Sequence, residues 1–582
     1  MINPQRLRVL LTCASVIAGL SVPASVCVAD GDRDGKKANE HRDDRDDRDD
    51  RDDRDDRDDR DDRDDRDEHV VFLSQGDWSD SQRALWYTVD QGSRIIPLNW
   101  IQALRQPNGR LFMRNHLSRY GYLPNETSPA NPEGLPVGFT LGGFEGREYL
   151  GQNCASCHVR EIKIEGVRYR ADGGPAIVDY ERFLTDLDDA VGSLLRNRKA
   201  FKRFKRKLGI RGARSSRKLR AELREWHRPF HLMMERALPE RLWGNGRIDA
   251  LSMIMNRTAG LDIGPPESGY MIPENIVPAD APVRYPFLWN ADLQDLTQWP
   301  GIALNGNLTL SLERNTGEVL GVFGIARPIE DSSLPEGVDF LFQNSLNFDG
   351  LQQLAQLVFQ LEPPEFPGEV DDDLAVQGEQ IYQWKCTTCH GINPGVYRGA
   401  WETWATPVLN VGTDTREHTI IGRTAKAGIL KGVALPPDYV PILETTAAIG
   451  ISAAIKTGTL VQRFPDIDFD FSSAPTAESG SYEARVLQGI WVAAPFLHNG
   501  SVPNLEELLK PAAERVTTFD IGPNYDLESV GLSTDQPEGS YTLQTGCSPD
   551  SLDSGNSNCG HEFGTDLSDE DKKALIEYMK TL

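Results

Sequence analysis

The sequence predicts a mainly α-helical protein with long loops, organised as two compact domains behind a disordered charged tract. Three observations carry that expectation. Two strings of the form C-x-x-C-H, Cys154-Ala-Ser-Cys157-His158 and Cys386-Thr-Thr-Cys389-His390, stand far apart in the chain. Apolar residues at helical spacing precede the second string and recur at the C-terminus. Between Arg42 and Asp65 the triplet Arg-Asp-Asp repeats without a single apolar side chain.

At the N-terminus, Arg6 and Arg8 are followed by an apolar run from Val9 to Leu20 and then by small residues ending in Cys27-Val28-Ala29. This is the pattern of a signal peptide, expected over residues 1–29. The run is too short to span a bilayer, and no later segment offers about 20 uninterrupted apolar residues. A soluble, periplasmic or secreted protein without stable membrane insertion is expected. A lipoprotein reading would use Cys27, but Ala24-Ser25-Val26 lacks the usual leucine and small-residue pattern before it.

Residues 30–70 are expected to be a disordered, solvated tether, since nothing in the repeat can offset the entropy of ordering it. Like charges every third residue would also stack on one face of a helix. The chain carries a formal charge of −26, and residues 30–68 supply 22 acidic against 12 basic side chains, so the remainder is acidic too. That charge argues against nucleic-acid binding and permits basic partners such as small cytochromes.

With 582 residues, the chain exceeds what one hydrophobic core accommodates. Leu351, Leu354, Ala355, Val358 and Leu361 lie on one helical face that should end before Pro363-Pro364, which sets a boundary between domains 71–363 and 364–582. Leu374, Gly378, Ile381 and Tyr382 predict a helix leading into the second string. A last helix should start at Ser568 as N-cap, followed by Asp569, Glu570 and Asp571, with Leu575, Tyr578, Met579 and Leu582 on one face. The two helices should cross, as in a cytochrome c-like haem domain. A basic helical segment from about Asn197 to Leu238 forms an insert in the first domain.

The chemistry resides in the two strings. Two thiols three positions apart can bond both vinyl groups of one haem, and the adjacent histidine then sits under the iron. Cys154, Cys157, Cys386 and Cys389 are therefore candidate attachment residues for two c-type haems, with His158 and His390 as proximal ligands. A zinc knuckle or a thioredoxin-like pair would need the same match to arise twice by chance. With Cys13 and Cys27 in the signal peptide, only Cys547 and Cys559 remain. In an oxidising compartment they should form a disulfide.

Several further strings accompany these motifs in order: Gly244-Asn-Gly-Arg-Ile-Asp249, Arg314-Asn-Thr-Gly-Glu-Val-Leu-Gly321, Val411-Gly-Thr-Asp414, Ala494-Pro-Phe-Leu-His-Asn-Gly-Ser501 and Gly555-Asn-Ser-Asn558 before Gly560-His561-Glu562. From about residue 140 onward the chain resembles the dihaem cytochrome c peroxidase superfamily, and within it the branch that includes latex-cleaving rubber oxygenases. The resemblance implies an oxidoreductase in which the N-terminal haem activates peroxide or dioxygen and the C-terminal haem relays electrons. The donor would be a small cytochrome or cupredoxin. The alternatives are an oxygenase that cleaves a hydrophobic alkene and a non-enzymatic electron carrier. Calcium between the domains is common in that superfamily, but no compact Asp/Asn-rich loop establishes it here.

No methionine occurs between Met271 and Met579. The second haem therefore has His561, His498 and His418 as candidate distal ligands, with His561 preferred because the histidine matching His498 supports the pocket in the resembling peroxidases. Each is equally readable as a hydrogen-bonded loop histidine. No histidine occurs between His158 and His227, which leaves an open distal site expected at the first haem. His227 and His231, in Arg224-Glu-Trp-His-Arg-Pro-Phe-His231, read as surface-helix residues ahead of the alternative of ligation, and His116 is similarly uninformative. Trp299 and Glu318 match positions beside the reactive haem, where the acid moves the proton needed to break an O–O bond. The alternative is a core Trp299 and a Glu318 paired with Arg314 one helical turn away. Retention of that acid departs from the apolar, aromatic pocket of rubber oxygenases, although Phe287 and Phe323 lie close in sequence.

Overall fold

A computed structural model describes residues 69–471, 474 and 477–582, which form one compact unit from His69 to Leu582. The expected signal peptide and nearly all of the charged tract lie outside the described residues. The expectation of a mainly α-helical fold is overturned: 38% of the structure is helix and 18% is strand, in many small sheets, so the fold is mixed α/β. Most of these strands are two to seven residues long, such as Leu296–Thr297 paired with Ala303–Leu304, and such segments leave almost no alternating signature in a sequence.

The main helices are α1 (Asp80–Thr88), α2 (Tyr180–Arg196), α3 (Arg198–Lys207), α4 (Ala213–Ala237), α5 (Ala250–Leu261), α6 (Leu308–Gly321), α7 (Phe348–Gln360), α8 (Asp372–Lys385), α9 (Ala448–Arg463) and α10 (Asp569–Lys580). The basic insert is thus two helices, α3 and α4, broken at Leu208–Gly212. Among the described residues no helix is long and apolar enough to cross a membrane.

Two β-hairpins flank the first C-x-x-C-H string. Phe139–Phe144 pairs antiparallel with Arg147–Gln152, and Val159–Ile164 pairs antiparallel with Val167–Asp172. Each turn is a Glu-Gly pair, Glu145-Gly146 and Glu165-Gly166, with positive φ at both residues. Such two-residue turns match the twist of the strands they join, and glycine takes the second position without a Cβ penalty. Val70–Phe72 adds a parallel strand to the second hairpin, and Ile96–Pro97 adds an antiparallel one to the first.

The second string follows α8, whose N-cap Asp371 accepts from the backbone of Asp373 and Leu374. Helix α10 begins as its sequence predicts, with the Ser568 side chain accepting from Asp571 N and three acidic residues in the first turn, where they complement the helix dipole. The two helices cross at Gly378, and Tyr382 meets Tyr578 with ring centroids 5.2 Å apart. One core contains Trp86, Val159, Ile162 and Trp289 together with Tyr382, Trp491, Leu575 and Met579. Residues on both sides of Pro363 therefore share it. A second core lies under α2, α3 and α4, and a third under α5, α6 and α9. Cys547 and Cys559 are joined by a disulfide.

The α8–α10 crossing generates a prediction. Gly378→Ala should gain up to about 1 kcal/mol in helix propensity. Its Cβ, however, would lie 1.9 Å from the Ala574 carbonyl oxygen. Overpacking against backbone costs about 1–3 kcal/mol, so the variant should be less stable than the parent in urea denaturation. Equal or higher stability would show that α10 can shift away.

Candidate functional site

Six residues, 153–158, connect the two hairpins and present the first string. Asn153 caps the single turn Cys154–Ser156 through a 3.0 Å bond from Ala155 N, and its amide donates to the carbonyls of Trp86 and Val89, both at 2.9 Å. The turn leaves Cys154, Cys157 and His158 half-buried. His158 Nδ1 lies 2.8 Å from the Pro286 carbonyl oxygen. A carbonyl only accepts, so Nδ1 carries the proton and Nε2 keeps its lone pair, the arrangement that makes a histidine a metal ligand. Burial holds the ring at a pKa of about 4, so it is neutral at physiological pH.

The second string repeats the device. Cys386 ends α8, a short helix Thr387–His390 follows, and His390 Nδ1 donates to the Arg485 carbonyl at 2.7 Å. Burial again lowers the histidine pKa. His561 faces His390 with ring centroids 6.1 Å apart. Two imidazoles bound on opposite faces of one metal ion by bonds of ~2 Å would have centroids roughly 6 Å apart. Burial, and then His390 and Arg515, push His561 to a pKa of about 3, and its Nδ1 is buried without a hydrogen-bond partner. Its backbone adopts φ +52°, and Gly560 before it packs so closely on Gly412 that a Cβ would lie 2.3 Å from that carbonyl carbon.

The four motif cysteines form no disulfide. Burial raises the thiol of Cys157 to about 11, that of Cys386 to about 11, and that of Cys154 further still. Redox-active C-x-x-C pairs depend on a lowered thiol pKa, so these sites do not suit thiol exchange.

His498 lies elsewhere: it stacks on Tyr482 at 3.7 Å and meets Trp299 edge-on at 6.4 Å. His418 sits on the short helix Arg416–Ile420 with Nδ1 buried and unpartnered. Trp299 is buried, donates Nε1–H to the Arg284 carbonyl at 3.0 Å, and lies under the Arg284 guanidinium. Glu318, on α6, accepts from Gln298 Nε2 at 2.8 Å and stands 3.9 Å from Arg314. The core tryptophan and the helical ion pair are thus both present. Glu318 also acts on the first string, because its charge is the second cause, after burial, that raises the Cys154 thiol. Its side chain keeps 40% of its exposure, yet burial is the leading cause raising its own pKa.

Sequence reasoning missed the arginines. Arg485, whose carbonyl anchors His390, sends Nη1–H to the Phe287 carbonyl at 2.8 Å. Pro286, the residue before Phe287, anchors His158. The two histidines are therefore linked through Pro286-Phe287 and Arg485. Arg485 also lies over the Phe287 ring, 4.3 Å from its centroid, and that ring stacks on Trp289. Arg160, Arg284 and Arg485 are all buried. Burial pushes Arg160 to about 10, and burial with the charges of Arg485 and Arg160 pushes Arg284 to about 9. Arg160 Nε and Nη2 and Arg485 Nε have no hydrogen-bond partner, and Arg485's carboxylate neighbour, Glu483, is 3.8 Å away. Buried cations short of carboxylates are costly. The propionates of a haem would supply the missing charge, so these residues fit that group. Single arginines carry no spacing signal, which is why the sequence did not reveal them.

The protein-family description "RoxA-like, cytochrome c-like" matches residues 481–520, the stretch that holds Tyr482, Arg485 and His498. The uncharacterized protein y4iJ of Sinorhizobium fredii (strain NBRC 101917 / NGR234) is 30% identical over 605 aligned positions, covering 88% of this chain and 94% of that protein. The uncharacterized protein y4iM of the same organism is 25% identical over 373 positions, covering 60% of this chain and 74% of its own length.

A pH dependence follows from His498. Burial and the Arg284 charge hold its pKa at about 3, below the ordinary 6.5. The folded state therefore binds fewer protons than the unfolded one. Its contribution to stability is present above about pH 6.5 and is lost as pH falls toward 3. His498→Gln should flatten the acid limb of the thermal-stability profile by on the order of a few kcal/mol. An unchanged limb would mean that His498 takes up its proton in the folded protein.

Proposed function

Since this chain belongs to the family of the Sinorhizobium fredii protein y4iJ and carries a RoxA-like, cytochrome c-like segment, we propose that it is an exported dihaem c-type oxidoreductase. In this reading, residues 71–363 hold a reactive haem on Cys154, Cys157 and His158. Residues 364–582 hold an electron-transfer haem on Cys386, Cys389 and His390, with His561 as its distal ligand. The observation that carries the reading is the paired anchoring of His158 and His390 on carbonyls joined by Arg485. Such a link suits two redox centres that exchange electrons, with a small cytochrome or cupredoxin as donor.

The two sites are unequal. His390 has a histidine opposite it, whereas the first string has Glu318 beside it. When bound, the haem supplies an iron at which peroxide or dioxygen is activated and a ring system through which electrons enter. The chain supplies the proton handling. Gln298 occupies Glu318 Oε1, which leaves Oε2 to hold a proton, and burial raises the carboxyl above its ordinary range, which favours the protonated form. Arg160, Arg284 and Arg485 would hold the propionates and fix the haem planes.

A second reading, favoured by the RoxA-like match, is an oxygenase that cleaves a hydrophobic alkene at the same haem. Phe287 and Phe323 give it little direct support, since Phe287 packs on Trp289 and Arg485, and Phe323 on Phe230 and Arg257.

The deciding experiment compares the purified holoprotein in two assays: peroxide reduction with a reduced small cytochrome, and oxygen uptake with polyisoprene. Peroxide turnover is expected. Glu318→Gln should lower it by about 10²–10⁴-fold with haem content unchanged. Oxygen uptake with polyisoprene and no peroxide turnover would replace the peroxidase reading with the second one. Turnover in neither assay would leave an electron carrier. Separately, His561→Ala should convert one low-spin haem to high spin; an unchanged spectrum would remove His561 as ligand.

A further inference from the structure

Helix α2 packs against helix α4 of the basic insert, and a group of metal-ligating side chains lies between them. We propose that Asp188 of α2 and His227 and His231 of α4 bind one divalent first-row transition-metal ion, of the zinc type, that staples the two helices.

His227 and His231 are four residues apart, so they project from the same face of α4 one turn apart. Their rings lie parallel, 14° between planes and 4.9 Å between centroids. Asp188 stands opposite with its two oxygens divided between them: Oδ1 is 3.2 Å from His227 Nε2, and Oδ2 is 2.7 Å from His231 Nδ1. One ligand atom from each residue falls within 4.8 Å of the others.

The second observation is what is left unsatisfied. Asp188 Oδ1 and His227 Nε2 are sealed from solvent, and neither has a hydrogen-bond partner. They approach each other at 3.2 Å without the geometry of a hydrogen bond. Buried polar atoms are normally paired, and a bound ion is one of the standard reasons for an exception. Two ligand atoms bound to the same ion by bonds of ~2.0–2.2 Å would stand roughly 3–3.5 Å apart, which is the separation found.

Room and access are also present. Gly192 packs against the pair, and a Cβ there would lie 3.0 Å from His227 Nε2. Asp188 is buried and His227 half-buried, whereas His231 is 48% exposed, so the ion can enter from the His231 side and keep water as its remaining ligand. Two imidazoles and one carboxylate suit zinc, nickel or copper; calcium and magnesium prefer all-oxygen sets. Arg196 also lies beside Gly192 and opposes a cation there, but its side chain is exposed and can turn into solvent.

Zinc chloride is the probe. The full-length holoprotein, stripped with a chelator that leaves covalent haem in place, is titrated calorimetrically beside the variants His231→Gln, Asp188→Asn and His227→Ala/His231→Ala, with His116→Ala as control. The parent and the control should bind one more zinc ion than the double variant. Zinc should also raise the Tm of the parent by several degrees without moving that of the double variant. Asp188→Asn should weaken the site at least tenfold. His231→Gln removes a ligand at an exposed position, so it keeps the fold and should also lose at least tenfold in affinity with its haem spectrum unchanged. Equal zinc affinity and stoichiometry in the parent and His231→Gln would overturn the proposal, as would a parent that binds no zinc at micromolar concentration.

Discussion

The structure depends on a hydrogen bond made twice: a half-buried Nδ1–H of a C-x-x-C-H histidine donating to a backbone carbonyl, His158 to Pro286 and His390 to Arg485. Each bond sets one tautomer and one ring orientation, which leaves Nε2 available. Neither acceptor lies near its histidine in sequence. The folding of segments 283–289 and 481–486 against the two strings therefore builds both sites at once.

Arg485 makes those two segments one unit. Its side chain binds the Phe287 carbonyl and its own carbonyl receives His390, so moving either histidine would disturb the other. The guanidinium is buried beside Arg284 and Arg160 with too little negative charge around it. An arrangement of this kind is unfavourable in the protein alone and becomes favourable when a dianionic group lies among the three. Stability and cofactor occupancy should therefore be strongly coupled, as in other proteins whose sites are completed by what they bind.

The two ends of the chain reached their shapes by different routes. Helices α8 and α10 were legible because their apolar spacing, caps and first-turn charges all agree, and Gly378 marks where they cross. The setting of the first string was not: it lies between two hairpins, and the expectation of a mainly helical fold failed there. The Glu145-Gly146 and Glu165-Gly166 turns were the available signal, each flanked by six-residue strands, but Glu-Gly is a weaker hairpin mark than Asn-Gly. Trp299 and Glu318 could be nominated from resemblance, yet their actual partners, Arg284, Tyr482, His498 and Gln298, come from separate segments.

By itself the sequence determined what depends on local spacing: two pairs of thiols each followed by histidine, a crossing helix pair around the second, and two remaining cysteines that the fold joins. His561 was preferred over His498 and His418 opposite His390 only through the family resemblance, because a distal position is defined by a long-range approach and leaves no periodic trace. Only the tertiary structure brought His561 to 6.1 Å from His390, set His498 against Tyr482 instead, and placed Arg485 between the two strings. Those positions follow from packing between segments that are remote in the chain, where physical contact and not spacing decides which residues meet.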